Sequence, residues 1–214
     1  MEELTNALER ILKWMQKHDP QIATIWQAEL SLSEIEEKVR LLPFRLPQEV
    51  YELYQWRNGF IQRAQGWSQG WGGHDSYNLD FLIKNYFDSI NYSEECVAFA
   101  NNSSSESLRN PQWFSLFGHD KQDYFIIGEQ KKQVSPVFCF DYGDWDDFRP
   151  KLKYSSLTSM MPTIAECYET GAYYHYKVEG REITSFGMNY PVAESIRKKY
   201  NPDCEYDAPV EELL

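Results

Sequence analysis

Basic residues are scarce in this chain. It has 21 Lys and Arg against 33 Asp and Glu, a formal net charge of −12. Neutralising phosphates takes Lys and Arg, so the balance argues against a general nucleic-acid-binding face. It suits solubility, or a basic protein partner. Long apolar runs are also missing: no stretch reaches the roughly 18 residues of a membrane span. The opening MEELTNALERILKWMQK is amphipathic and acidic near its start. It lacks the basic start, apolar centre and small-residue cleavage site of a signal peptide. Cys96, Cys139, Cys167 and Cys204 stand far apart without paired spacing. That predicts reduced thiols in a cytosolic protein, not a disulfide framework.

The signatures of common chemistry are missing too. There is no Gly-x-Ser-x-Gly elbow, phosphate loop or Gly-x-Gly-x-x-Gly fingerprint. His18, His74, His119 and His175 form neither a His-Glu-x-x-His pair nor a cysteine-paired zinc pattern. No metal or cofactor is expected. His119, Asp120 and Asp123 could form a metal corner or a general-base pair, which would make the chain a hydrolase; a solvated strand turn is the ordinary reading. Asp141, Asp144, Asp146 and Asp147 are a poor match to a calcium loop, because Gly143 and Trp145 interrupt the alternation of oxygen ligands.

What is present is helical periodicity at both ends and strands between them. At 214 residues the chain can bury roughly 70% of its extended surface without staples. Leu4, Leu8, Ile11, Leu12 and Met15 make one helix face, broken at His18-Asp19-Pro20. Ile22, Ile25 and Trp26 form a short apolar run. Ser33 with Glu36 predicts a capping box, and Pro43 a stop after Ile35, Val39 and Leu42. LPQEVYELYQWRNGF then places Leu46, Val50, Leu53 and Tyr54 at helical spacing, so Asn58-Gly59 reads as a helix C-cap and not a hairpin turn. Residues 79–90 read as a further helix and 101–112 as a polar loop.

WFSLFG and DYFIIGE flank the turn HDKQ, and SPVFCFDY follows, so an antiparallel meander is predicted. TSMMPTIAECYETG reads as a helix with Met161, Ile164, Ala165 and Tyr168 inward and Gly171 at its end. AYYHYKVEGREITSF reads as a hairpin around Glu179-Gly180. NYPVAESIRKKYNP reads as a last helix with Val192, Ile196 and Tyr200 inward. The acidic tail 201–214 has no Lys or Arg. Helices, a meander and helices again predict α+β.

Three stretches together resemble the SUKH superfamily: LSEIEEKVRLLPFRLPQEVYELYQWRNGF, WFSLFGHDKQDYFIIGE with SPVFCFDYGD, and YSSLTSMMPTIAECYETGAYY. The resemblance covers about residues 32–173, with the order and spacing of the blocks carrying it. It implies a twisted, mainly antiparallel sheet of about five or six strands with N-terminal and C-terminal helices packed around it. On this division, 1–31 is an N-terminal helical extension, 32–173 the SUKH-like domain, and 174–214 a C-terminal hairpin, helix and acidic tail packed on the same domain. Many members have a glycine-rich acidic turn where this chain has His119-Asp120-Lys121-Gln122-Asp123.

The superfamily includes bacterial toxin-immunity proteins and regulators of fungal cell-wall synthesis, so the resemblance implies a non-catalytic, cytoplasmic protein-binding module. An immunity protein that occludes a basic toxin domain, possibly a nuclease, is the preferred expectation. A regulatory domain with an endogenous partner is the alternative. The partner-binding candidates are Trp67 and Trp71, set among glycines, and the carboxylates Asp144, Asp146 and Asp147. Tryptophans make interface anchors and carboxylates steer a cationic partner. Both groups are expected on one exposed side.

Overall fold

The computed structural model describes residues 2–60, 72–73, 75–97, 112–119, 122–129, 132–141, 150–177 and 184–204, with side chains for all of these except 90–97, 119 and 184. Among them are seven helices, a five-stranded antiparallel sheet and a separate two-stranded sheet. This is an α+β fold. Cys139, Cys167 and Cys204 are free and buried.

Helix α1 (Glu2–His18) buries the face that its periodicity predicts: Leu4, Leu8, Ile11, Leu12 and Met15. It packs on α6 (Leu157–Glu169), whose Met161, Ile164, Ala165 and Tyr168 lie in the same core. Asp19 ends α1 and caps the short α2 (Pro20–Ala23) by accepting from the Ile22 N–H. Helix α3 (Leu32–Val39) begins two residues earlier than its predicted capping box. Ser31, not Ser33, is the N-cap, and its partner is Glu34, not Glu36. Both pairs satisfy the Ser-x-x-Glu spacing; the Ser31 frame places Ile35 and Val39 in the core.

Helix α4 (Gln48–Trp56) buries Val50, Leu53 and Tyr54. It ends earlier than expected: Arg57 is already extended, so Asn58-Gly59 is not its C-cap. Gly59 does adopt a positive φ of 69°. Its requirement is close approach, since a Cβ there would stand 2.5 Å from the carbonyl carbon and oxygen of Tyr77. Asn58 is buried and ties three segments together. Its N–H donates to the Ala28 carbonyl, its amide to Gln27 Oε1, and its Oδ1 accepts from the Leu79 N–H at the start of α5 (Leu79–Val97). Helix α5 runs past the predicted 79–90, and Asn78 also caps it through the Phe81 N–H.

The main sheet is a meander in chain order: β1 (Asp75–Ser76), β2 (Trp113–His119), β3 (Gln122–Ile127), β4 (Val137–Asp141) and β5 (Lys151–Tyr154). The predicted four-residue turn is shorter, because β2 and β3 pair out to His119↔Gln122. One sheet face carries Tyr124, Ile126, Val137 and Cys139 into the main core. The other is covered by a small cluster of Ile127, Phe138, Leu152 and Cys204. The predicted late hairpin is β6 (Tyr173–Lys177) paired with β7 (Thr184–Met188), a sheet of its own.

Helix α7 (Tyr190–Tyr200) buries Ala193, Ile196 and Arg197. The expected face is therefore corrected: Val192 is exposed and Tyr200 only half-buried. Arg197 can sit inward because its guanidinium is hydrogen-bonded there. It donates twice to the Glu194 carboxylate, and also to the carbonyls of Lys153 and Cys204.

Candidate functional site

Trp67, Trp71, Asp120, Asp144, Asp146 and Asp147 lie outside the described residues, as does the His119 side chain. Asp123 is described, half-buried on β3 opposite Gly118. Its carboxylate occupies the space above Gly118, 2.1 Å from where a Cβ would be. Beside it the Tyr77 hydroxyl donates to the Gly118 carbonyl at 3.3 Å. Burial, helped by the charges of Asp75 and Asp123, pushes the Tyr77 phenol up to about 12. Among the described residues no group of three or more His, Cys, Asp or Glu could hold a metal.

Residues flanking the two candidate segments are described. Gly72 follows the tryptophan segment. It has φ 60° and donates its N–H to the Tyr168 hydroxyl at 3.3 Å, and a Cβ there would meet the Tyr173 ring at 2.6 Å. Asp141 precedes the acidic segment and accepts from the Gln122 amide at 2.6 Å. Gly72 and Gln122 line one cavity of about 230 Å³. Its walls come from β3, β5, α6, the hairpin and α7, and they include Tyr124, Met160, Ile164, Tyr173 and Met188. Lys153, Arg197 and Glu194 supply the charge. No local motif announces this cavity; its lining spans residues 72 to 197.

A second feature was not anticipated from the sequence. The hairpin and the start of α7 expose large apolar groups: Tyr174 (45%), Tyr176 (48%), Met188 (45%), Tyr190 (52%) and Val192 (39%). The Tyr174 and Tyr176 rings lie 6.2 Å apart on one face of β6. The signal was in Tyr173-Tyr174-His175-Tyr176: Tyr173 and His175 point inward, so period 2 sends the other two tyrosines out.

His175 belongs to a buried chain of polar groups. Its Nδ1 is 3.0 Å from Asp19 Oδ2, and its Nε2 is 3.5 Å from the Tyr168 hydroxyl. The Trp14 ring packs on both Tyr168 and His175. An Asp–His–Tyr order could relay a proton, but His175 and Asp19 side chains are only 3% and 6% exposed. Burial also drives the Tyr168 phenol above its ordinary range. The arrangement is a buried clasp between the N-terminal helices and the hairpin.

No helix among the described residues is long and apolar enough to cross a membrane. A comparison with curated proteins found no match. The model of the SMI1 / KNR4 family (SUKH-1) matches residues 29–162, from just before α3 into the first turns of α6. That is more than half of the 214 residues, it contains the whole five-stranded meander, and by it this chain belongs to the SMI1 / KNR4 family (SUKH-1).

Proposed function

We propose that the protein is a non-catalytic, cytoplasmic binding module, and that its partner is a toxin domain which it neutralises by direct contact. The superfamily includes immunity proteins and cell-wall-synthesis regulators, and the immunity reading is the more specific of the two. The observation that carries a binding role is the exposed aromatic and methionine surface of the hairpin and α7. Tyr and Met are enriched at protein interfaces, where a rigid ring supplies contact area at low entropic cost. The net charge of −12 suits a basic partner, such as a nuclease, through faster encounter. Trp67, Trp71, Asp144, Asp146 and Asp147 remain candidate contacts of the same interface. His119, Asp120 and Asp123 take no catalytic part on this reading.

The test is co-expression with the toxin domain encoded by a neighbouring reading frame. Growth should be protected, and the two chains should elute as one complex. Replacing Tyr176 and Tyr190 together by Ser should speed dissociation; neutralising Asp144, Asp146 and Asp147 should slow association at low salt. If the folded protein neither protects nor binds the toxin, and captures an endogenous protein through the same tyrosines, the regulatory alternative replaces this one. Turnover that disappears with His119→Ala in a folded variant would overturn the non-catalytic reading.

A further inference from the structure

Charge is unevenly spread over this chain. Against a net −12, the second half of α1 carries Arg10, Lys13, Lys17 and His18. All four line a groove of about 690 Å³ between α1, the end of α6 and the start of β6. Glu169 is the one carboxylate in the lining, and Arg10 donates to both of its oxygens, at 2.8 and 2.5 Å. Two further carboxylates on these helices are engaged elsewhere: Glu9 accepts from the Trp56 indole, and Glu166 from Lys199 and Tyr200. Lys13 and Lys17 are exposed, and neither has a hydrogen bond or ion pair among the described residues. The helix dipole accounts for a cation at Lys17, in the last turn of α1, but not for Lys13 a turn earlier.

The rest of the lining is largely aromatic. The Trp14 ring stacks on His18 at 4.5 Å and tilts against Tyr168 at 4.4 Å. Tyr174, also in the lining, is 45% exposed. Gly171 adds no side chain, and a Cβ there would have nothing within 4 Å. Half-buried rings flanked by ammonium groups suit an acidic segment that also carries apolar side chains.

Such a segment follows the last described residue, Cys204. Residues 205–214 read EYDAPVEELL: four carboxylates, no Lys or Arg, and Tyr206, Val210, Leu213 and Leu214. The starting point of this stretch is fixed. The Cys204 N–H donates to the Asn201 carbonyl at 3.2 Å, and its carbonyl accepts from Arg197 at 3.2 Å. Hydrogen bonding to Glu169 raises the Arg10 guanidinium above its ordinary value, burial opposes this, and the Tyr200 hydroxyl adds to the rise. Tyr200, four residues before Cys204, therefore stands beside the groove. Ten residues extend to about 33–36 Å. From Arg10, Lys13 and Lys17 lie only about 4.5 and 10.5 Å further along the α1 axis. We propose that residues 205–214 of the same chain dock in this groove, with carboxylates on Lys13 and Lys17 and apolar side chains against Trp14 and Tyr174. A tether this short gives an effective concentration on the order of millimolar, so a modest contact suffices. Tyr176, Met188 and Tyr190 are outside the lining. The docked segment leaves them open, and this inference stands or falls apart from the partner-binding reading.

The experiment is carbodiimide cross-linking of the full chain, with ¹⁵N-labelled and unlabelled copies mixed, read by mass spectrometry. Cross-links should join Lys13 or Lys17 to Glu205, Asp207, Glu211 or Glu212 within single copies. Their yield should fall at least about fivefold between about 0.1 M and 1 M NaCl, as screening shortens from about 10 to 3 Å. The NMR signal of the Trp14 indole N–H gives a second readout. Neutralising the four carboxylates (Glu205→Gln, Asp207→Asn, Glu211→Gln, Glu212→Gln) should move it, and so should Lys13→Gln with Lys17→Gln, which removes only exposed charges. Combining the two sets should move it no further than either alone, because both break the same contact. Cross-links found only between labelled and unlabelled copies would assign the groove to a second molecule and overturn the proposal. So would the absence of cross-links at both lysines, an indole signal unmoved by the carboxylate changes, or shifts that simply add.

Discussion

Two single residues carry more of this structure than their size suggests. Gly59 sits at φ 69° against the Tyr77–Asn78 backbone, and a Cβ there would meet that backbone at 2.5–2.7 Å. Backbone atoms cannot swing aside as a side-chain tip can. Gly59→Ala should therefore cost about 3 kcal/mol or more, from left-handed strain plus overlap. Denaturant unfolding measures it. Glu49 is the second. It is buried on α4, and its carboxylate accepts from the Thr158 N–H at 2.7 Å and the Ser135 N–H at 3.4 Å. Thr158 is in the first turn of α6, where a negative charge also meets the positive end of the helix dipole. Glu49→Ala should destabilise by about 2–4 kcal/mol, because two donors are left unsatisfied. Glu49→Gln, which keeps an acceptor, should cost less. The sequence announced Gly59 as special but gave it a helix-ending duty. Glu49 it did not announce at all, because a Glu in a first helical turn looks like any other until the distant donors are in place.

Helix α7 illustrates how far periodicity reads an element, and where it fails. Val192, Ile196 and Tyr200 are the apolar positions, yet the helix turns Ala193, Ile196 and Arg197 inward. Hydropathy counts an arginine as outward; a guanidinium with a carboxylate and two carbonyls around it can be buried. The Glu194–Arg197 pair gives the expectation a pH signature. Its hydrogen bonds to Arg197 hold the Glu194 carboxyl below the ordinary 4.5, with burial opposing them. A depressed folded pKa contributes stability that is fully present above the unfolded value and lost as pH falls through the folded one. The melting temperature should thus drop on acidification below 4.5, and Glu194→Gln should flatten that drop while lowering stability at neutral pH. A drop of the same size in both proteins would show that the pair contributes nothing. Long, regular elements such as α1, α4 and α6 were legible because one face repeats over several turns. Strand β5, Lys-Leu-Lys-Tyr, was missed because four residues carry no pattern that survives a bulge, and its register with β4 does shift between Val137 and Phe138. The cavity was illegible for a different reason: its lining is drawn from β3, β5, α6, the hairpin and α7, and no window of sequence contains it.

At the scale of the molecule, the parts outside the family match are bound to the core rather than appended to it. Helix α1 places Leu4, Leu8, Ile11 and Met15 in the same buried cluster as α4, α6 and the sheet. The Asp19–His175 contact then joins that helical start to the hairpin. His175→Ala would remove the buried Asp19–His175 contact, at a cost of about 1–3 kcal/mol. Native-state hydrogen exchange should show the loss in β6 and around Asp19, with the central strands β2–β4 still protected. Uniform loss of protection would mean that the hairpin and sheet open as one unit.

That clasp also sets an order of events during synthesis. Asp19 and His175 are 156 residues apart, and a ribosome adds about 5–20 residues per second. The start of the chain therefore waits roughly 8–30 seconds after Asp19 is made before its partner exists. During that interval α1 has an apolar stripe and no α6 to lay it on, since α6 begins only at Leu157. The nascent chain has to be kept from sticking to its neighbours until nearly all of it has been made, and a ribosome stalled before residue 157 should hold a protease-sensitive N-terminus that becomes resistant once α6 and the hairpin have emerged.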